Sequence, residues 1–67
     1  MMTKQECIEF AVSSAYAAFD QRSEYADAIA SHRDNVRDTL NDERSAQHEP
    51  DAFDAFDAVV AKLSAAK

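Results

Sequence analysis

Apolar positions along the 67-residue chain form three periodic series, each at spacings of three and four. The first is Ile8, Val12, Ala15 and Phe19, which at about 100° per residue share one helix face, with Ala11 and Ala18 at its edge. Phe10 and Tyr16 lie off that stripe and give the segment a second apolar contact. Thr3-Lys4-Gln5-Glu6 fits a capping box, so a first helix is predicted over 4–20. The second series, Tyr25, Ile29, His32, Val36 and Leu40, predicts a helix over 23–44. Phe19 and Tyr25 are six apart, and on an unbroken helix that gap turns the seam by about 120°. A break is therefore expected at Asp20-Gln21-Arg22-Ser23, with Ser23 as the second cap. The rival reading keeps one helix from Lys4 to about Arg44, since Ala26 and Ala30 continue the first seam and neither Gly nor Pro interrupts it. That rod would be about 60 Å long and sheathed only by another chain. Periodicity lapses over Arg44–Glu49, and Pro50 suits the first turn of a third helix over 50–65, whose seam is Phe53, Phe56, Val60 and Leu63 with Val59 at the border. The fold class is all-α: a small three-helix bundle in one domain, 1–67, or a long bent helix plus a C-terminal helix, either of which is compatible with a dimer.

Composition narrows the alternatives. The chain has no glycine and one proline, so the usual residues of hairpin turns and phosphate-cradling loops are missing. A chain this short buries little apolar area, and help from a partner is expected. The formal net charge of -6 and pI near 4.6 oppose direct capture of nucleic acid or an anionic membrane and favour a basic partner. No apolar run approaches the roughly 20 residues that span a bilayer, and Met1-Met2-Thr3-Lys4 leads into a patterned helix, so a cytoplasmic location is expected, that of a host if the chain is phage-encoded. The single cysteine, Cys7, reads as a small hydrophobe, with an intermolecular bridge as the minor alternative.

Candidate chemistry is sparse. Cys7 with His32 or His48 is the sole nucleophile and base pairing, and nothing in the pattern brings them together. Ile29 and Ser45 stand three residues before the histidines, so the Glu-x-x-His motif of bundle di-metal sites is missing, and a calcium loop would need glycine. No enzymatic activity, metal or cofactor is expected. His32, on the second seam, reads as a core or interface histidine, and His48 as a solvent-facing loop residue.

The most ordered polar feature is acidic. Asp20, Glu24, Asp27, Asp34, Asp38 and Asp42 fall within about 80° of one another on the second helix, with Ser31 filling the one gap. A basic stripe, Arg22, Arg33, Arg37 and Arg44, runs about 120° away beyond the apolar seam. Like charges four apart destabilise an isolated helix by a few tenths of a kcal/mol each, roughly, so helix stability alone did not select them. Read as function, the carboxylates form a ladder with steps of roughly 5 to 6 Å except at the Ser31 gap, comparable in order of magnitude to phosphates about 3.4 Å apart along a DNA strand. Pro50-Asp51-Ala52-Phe53-Asp54-Ala55-Phe56-Asp57 adds three more acids. Asp51 and Asp54 suit the amino end of a helix, whereas Asp57 lies at the apolar border and should meet an arginine of the second helix or the edge of a partner's site. Partner binding is thus expected at Asp20, Glu24, Asp27, Asp34, Asp38, Asp42, Asp51, Asp54 and Asp57. The expected partner is the basic surface of a larger, nucleic-acid-handling protein, which this chain would inhibit or modulate; a structural or regulatory homodimer is the alternative.

Met2-Thr3-Lys4-Gln5-Glu6 resembles the opening of the Rop family of plasmid copy-number proteins, over those five residues. The resemblance implies a helical hairpin that dimerises and binds paired RNA loops, for which only the arginine stripe would supply a face. In size and charge the whole chain is similar to phage counter-defence proteins, anti-CRISPRs among them.

Overall fold

The computed structural model describes residues 1–20 and 25–65. Within them the chain forms α1 (Lys4–Asp20), α2 (Tyr25–Asp42) and α3 (Glu49–Ala65), with a short 3-10 turn at Ala46–His48 running directly into α3. The described residues contain no strand, and no described helix is long and apolar enough to cross a membrane.

α1 starts where the capping chemistry places it. The Glu6 amide donates to Thr3 Oγ1 at 3.1 Å, and the Thr3 amide donates to Glu6 Oε1 at 2.8 Å, which satisfies two amides that the first turn leaves without helical partners. The backbone donor of Thr3 is the main reason the Glu6 carboxyl is held below its ordinary value, with the Thr3 side chain second. A lowered carboxyl contributes stability that is fully present above its unfolded value, about 4.5, and is lost as pH falls through the folded one. The first turn of α1 should therefore fray on acidification below about pH 4.5. Amide exchange at Thr3 checks this: protection falls with pH in the native chain and is pH-independent, at a lower level, in Glu6→Gln.

α1 packs against both α2 and α3, which meet each other less extensively. The core is Cys7, Ala11 and Ala15 of α1, Val36 and Leu40 of α2, and Ala52 and Phe56 of α3, all fully buried. On α1 the inward stripe is thus Cys7-Ala11-Ala15-Ala18, not the predicted Ile8-Val12-Ala15-Phe19; Ile8, Val12 and Phe19 are half-buried at the border. The reason is steric: a helix facing two neighbours at once can approach both closely only through small side chains. Bulk comes instead from Val36, Leu40 and Phe56, in agreement with the seams expected for the other two helices. Phe53, Val59 and Val60 pack against this cluster, as does Ile29 of α2.

The single-rod alternative is overturned. The Met2 amide, just before α1, donates to Ser45 Oγ, just after α2, at 2.9 Å, so α1 and α2 run antiparallel and a straight helix of about 60 Å is impossible. The expected break with its Ser23 cap falls in residues 21–24, outside the described residues. α3 returns parallel to α1, with Lys4 Nζ 3.8 Å from Asp51 Oδ2 at their amino ends.

α2 ends two residues earlier than the predicted 44, in a Schellman motif. The Ser45 amide donates to Leu40 O at 2.7 Å and the Arg44 amide to Asn41 O at 3.1 Å, with Arg44 left-handed at φ 57. That position is normally glycine, because a Cβ there costs roughly 1–2 kcal/mol. Arg44→Gly should stabilise the fold by about 0.5–1 kcal/mol after the extra freedom of glycine in the unfolded chain is subtracted. A melting temperature raised by a few degrees is the expected result, and Arg44→Val should lower it.

Candidate protein-binding face

α2 has three distinct sides. Ala28, Val36 and Leu40 are buried towards α1 and α3. Asp27, Asp34, Asp38 and Asp42 are all exposed, and the turn of the helix puts them about opposite that seam, facing solvent. Arg33 and Arg37 stand between, on the flank next to α3.

That flank has structural work. Arg33 donates from Nε to Asp57 Oδ1 and from Nη2 to Asp57 Oδ2, both at 3.3 Å, and its guanidinium carbon lies 4.2 Å from the centroid of the Phe53 ring. One arginine therefore joins α2 to α3 through a forked ion pair and a cation–π contact, the latter alone worth roughly 0.5–1 kcal/mol at an exposed site. Asp57 meets an arginine of α2, the first of the two outcomes its border position allowed.

Arg37 stands beside the acidic side, 3.7 Å from Asp34 Oδ1 and 3.9 Å from an oxygen of Asp38. All three side chains are at least half exposed, so these pairs are worth little and leave both carboxylates open to a partner. Asp27, Asp42 and Asp54 have no ion pair among the described residues. Asp51 is paired with Lys4. Asp54 is exposed on the far side of α3 from Phe56, about 200° around the helix. Of the nine acids expected to bind a partner, the structure brings Asp27, Asp34, Asp38 and Asp42 onto one face, commits Asp51 and Asp57 to contacts between helices, and sets Asp54 on another helix. The Asp20 side chain and Glu24 lie outside the described residues.

Ser31, His32, Asp34, Asn35 and Asp38 line a shallow open groove on α2. His32 is half-buried there, and His48 is also half-buried, because it ends the 3-10 turn instead of standing in an open loop. No group of His, Cys, Asp and Glu among the described residues has the arrangement of a metal site. Cys7 is fully buried; burial, foremost, and the Glu6 charge push its thiol up, while the Ser45 side chain opposes them. That is the setting of an inert core thiol, and the cysteine cannot reach a second chain while α1 is docked.

Ser45 is the residue that periodicity misses. It is fully buried, and its hydroxyl accepts from the Met2 amide and lies 3.3 Å from Met2 O and 3.2 Å from Glu43 O. In sequence it is a polar residue in an aperiodic segment, and nothing local marks it as a tie across 43 positions.

Comparison of the chain with protein-family models, curated proteins and solved structures gave no match.

Proposed function

We propose that the protein is a small acidic binding module that presents the outer side of α2 to a basic surface on a larger protein, one that handles nucleic acid, and so inhibits or modulates it. The observation that carries this reading is the placement of Asp27, Asp34, Asp38 and Asp42 on the side of α2 that takes no part in the core. Fifteen residues separate the first from the last, which is about 22 Å of helix. Asp27 suits the first turn of α2, but the fold gains little from aligning Asp34, Asp38 and Asp42 with it, since spacings of four between like charges weaken a helix. A partner with clustered Lys and Arg would gain both steering and register from them.

Asp34, Asp38 and Asp42 step by about 6 Å, the same order as phosphate spacing, with one longer step of about 10 Å from Asp27, and this supports a partner whose chemistry is that of a nucleic-acid channel. Two of the four arginines of the basic stripe are engaged, which argues against a basic face for RNA: Arg33 is committed to Asp57, and Arg37 stands among acids. Charge reversal on α2, with partner capture as the readout, is the test.

A further inference from the structure

The side of the bundle that α1 and α3 turn away from α2 carries little charge. The longest uncharged stretch of the sequence, Phe10–Phe19, lies in α1. On the outer side of that helix Val12 and Tyr16 continue a stripe begun by Ile8, at spacings of four. Ile8 and Val12 are half-buried and Tyr16 is 44% exposed, and all three stand outside the core cluster. Beside them α3 turns Asp54, Ala58 and Lys62 outward, again at spacings of four and all exposed. The Lys4–Asp51 contact at 3.8 Å sets the level of these two parallel helices, so Val12 is level with residue 59, next to Ala58. An apolar strip therefore crosses the middle of this side. Asp54 flanks it towards the amino ends and Lys62 towards the carboxyl ends, and neither has an ion pair among the described residues.

We propose that a second copy of the chain docks on this side, antiparallel, about a two-fold axis at Val12 and Ala58. Such an axis exchanges positions equally spaced on either side of it. Ile8 then meets Tyr16 of the second copy, Val12 and Ala58 meet themselves, and Asp54 faces Lys62 of the second copy at both ends. Charge selects this occupant and its direction. At a net charge of -6, two copies repel across their acidic sides, and α1–α3 is the side where they can meet with opposite charges matched. A parallel pairing would gather Glu9, Asp51 and Asp54 of both copies at one end and leave both Lys62 side chains at the other. Ala58 has no bulk to hold the two α3 helices apart, so the larger side chains of the α1 stripes can close on each other. The acidic side of α2 points away from this contact, and a dimer carries two such faces outward.

The test is sedimentation at low salt of the native chain, Asp54→Lys, Lys62→Asp and an equimolar mixture of the two variants, from about 1 µM to about 1 mM. The native chain should pass from monomer to dimer as concentration rises. Each variant alone sets like charges opposite each other at both ends and should associate roughly tenfold more weakly. The mixture should recover, because a heterodimer of the two variants restores both opposite-charge pairs, an effect that no change in the fold of one chain imitates. Tyr16→Glu, at an exposed position where the fold tolerates it, puts a carboxylate into the apolar strip twice and should remove the dimer with helicity unchanged by circular dichroism. A native chain still monomeric at about 1 mM would overturn the proposal and leave this side to an unlike partner. A mixture that associates no better than its components, or a Tyr16→Glu chain that dimerises like the native one, would overturn it as well.

Discussion

Replacing Phe56 by alanine is expected to leave most of the chain unfolded at room temperature. Among the described residues Phe56 is the largest fully buried side chain and the one aromatic in a core otherwise made of Leu40, Val36, Cys7 and alanines. Truncating a buried phenylalanine costs about 3–5 kcal/mol from lost transfer energy and the cavity left behind. At about 0.05–0.15 kcal/mol per residue, a domain of this size has roughly 3–10 kcal/mol in all. The cavity has poor prospects of collapse, because the opposing α1 stripe is already alanine and cysteine with no longer rotamer to swing in. Circular dichroism should show loss of the cooperative thermal transition for Phe56→Ala. Phe56→Leu, which keeps the site apolar and mostly filled, should restore a transition at lower temperature. A Phe56→Ala chain that melts within a few degrees of the native one would mean that the core is not centred where Phe56 places it.

Much of the fold was legible in the sequence because its signals are local. Thr3 and Glu6 cap α1 through a four-residue motif that requires nothing beyond itself. Val36, Leu40 and Phe56 follow helical periods on α2 and α3, and those helices each have one main apolar side, so the period alone orients them. α1 defeated the same reasoning. Its stripe of small residues and its stripe of larger ones sit side by side, and hydrophobicity favours Ile8, Val12 and Phe19 over Ala11 and Ala18. Only the presence of two packed neighbours decides in favour of the alanines, and that is a tertiary fact. Arg44 and Ser45 were hidden for a related reason: a left-handed arginine has no local signature when glycine is the expected residue, and the partner of Ser45 is near the other end of the chain.

The candidate site was partly legible. A period of 3.6 aligns Asp27, Asp34, Asp38 and Asp42 whatever the rest of the chain does, and packing α2 by its apolar seam turns them outward. Periodicity did not name the cations that answer Asp51 and Asp57, since Lys4 and Arg33 lie on other helices. Asp57 was singled out by its place at the apolar border of α3, and it is Arg33 across the bundle that meets it.

Capture by a basic partner should be abolished in the triple variant Asp34→Lys, Asp38→Lys, Asp42→Lys. Each replacement adds two positive charges, so three move the formal net charge from -6 to zero, and they reverse the field on one side of the molecule instead of merely weakening it. The fold should survive, because all three positions are exposed and exposed changes of this kind are worth within about 1 kcal/mol; unchanged helicity establishes that before binding is compared. Loss on the face should appear mostly as a slower association that also loses its salt dependence, the behaviour of steered encounters. A control that reverses Asp54 alone, exposed on α3 and away from the α2 face, should leave capture nearly intact. The most direct measurement is therefore a pull-down from the native host at low and high salt with the native chain, the triple variant and Asp54→Lys side by side. The acidic face of α2 predicts a basic, nucleic-acid-handling protein retained at low salt by the native chain and Asp54→Lys, and absent with the triple variant; equal retention by all three would contradict it.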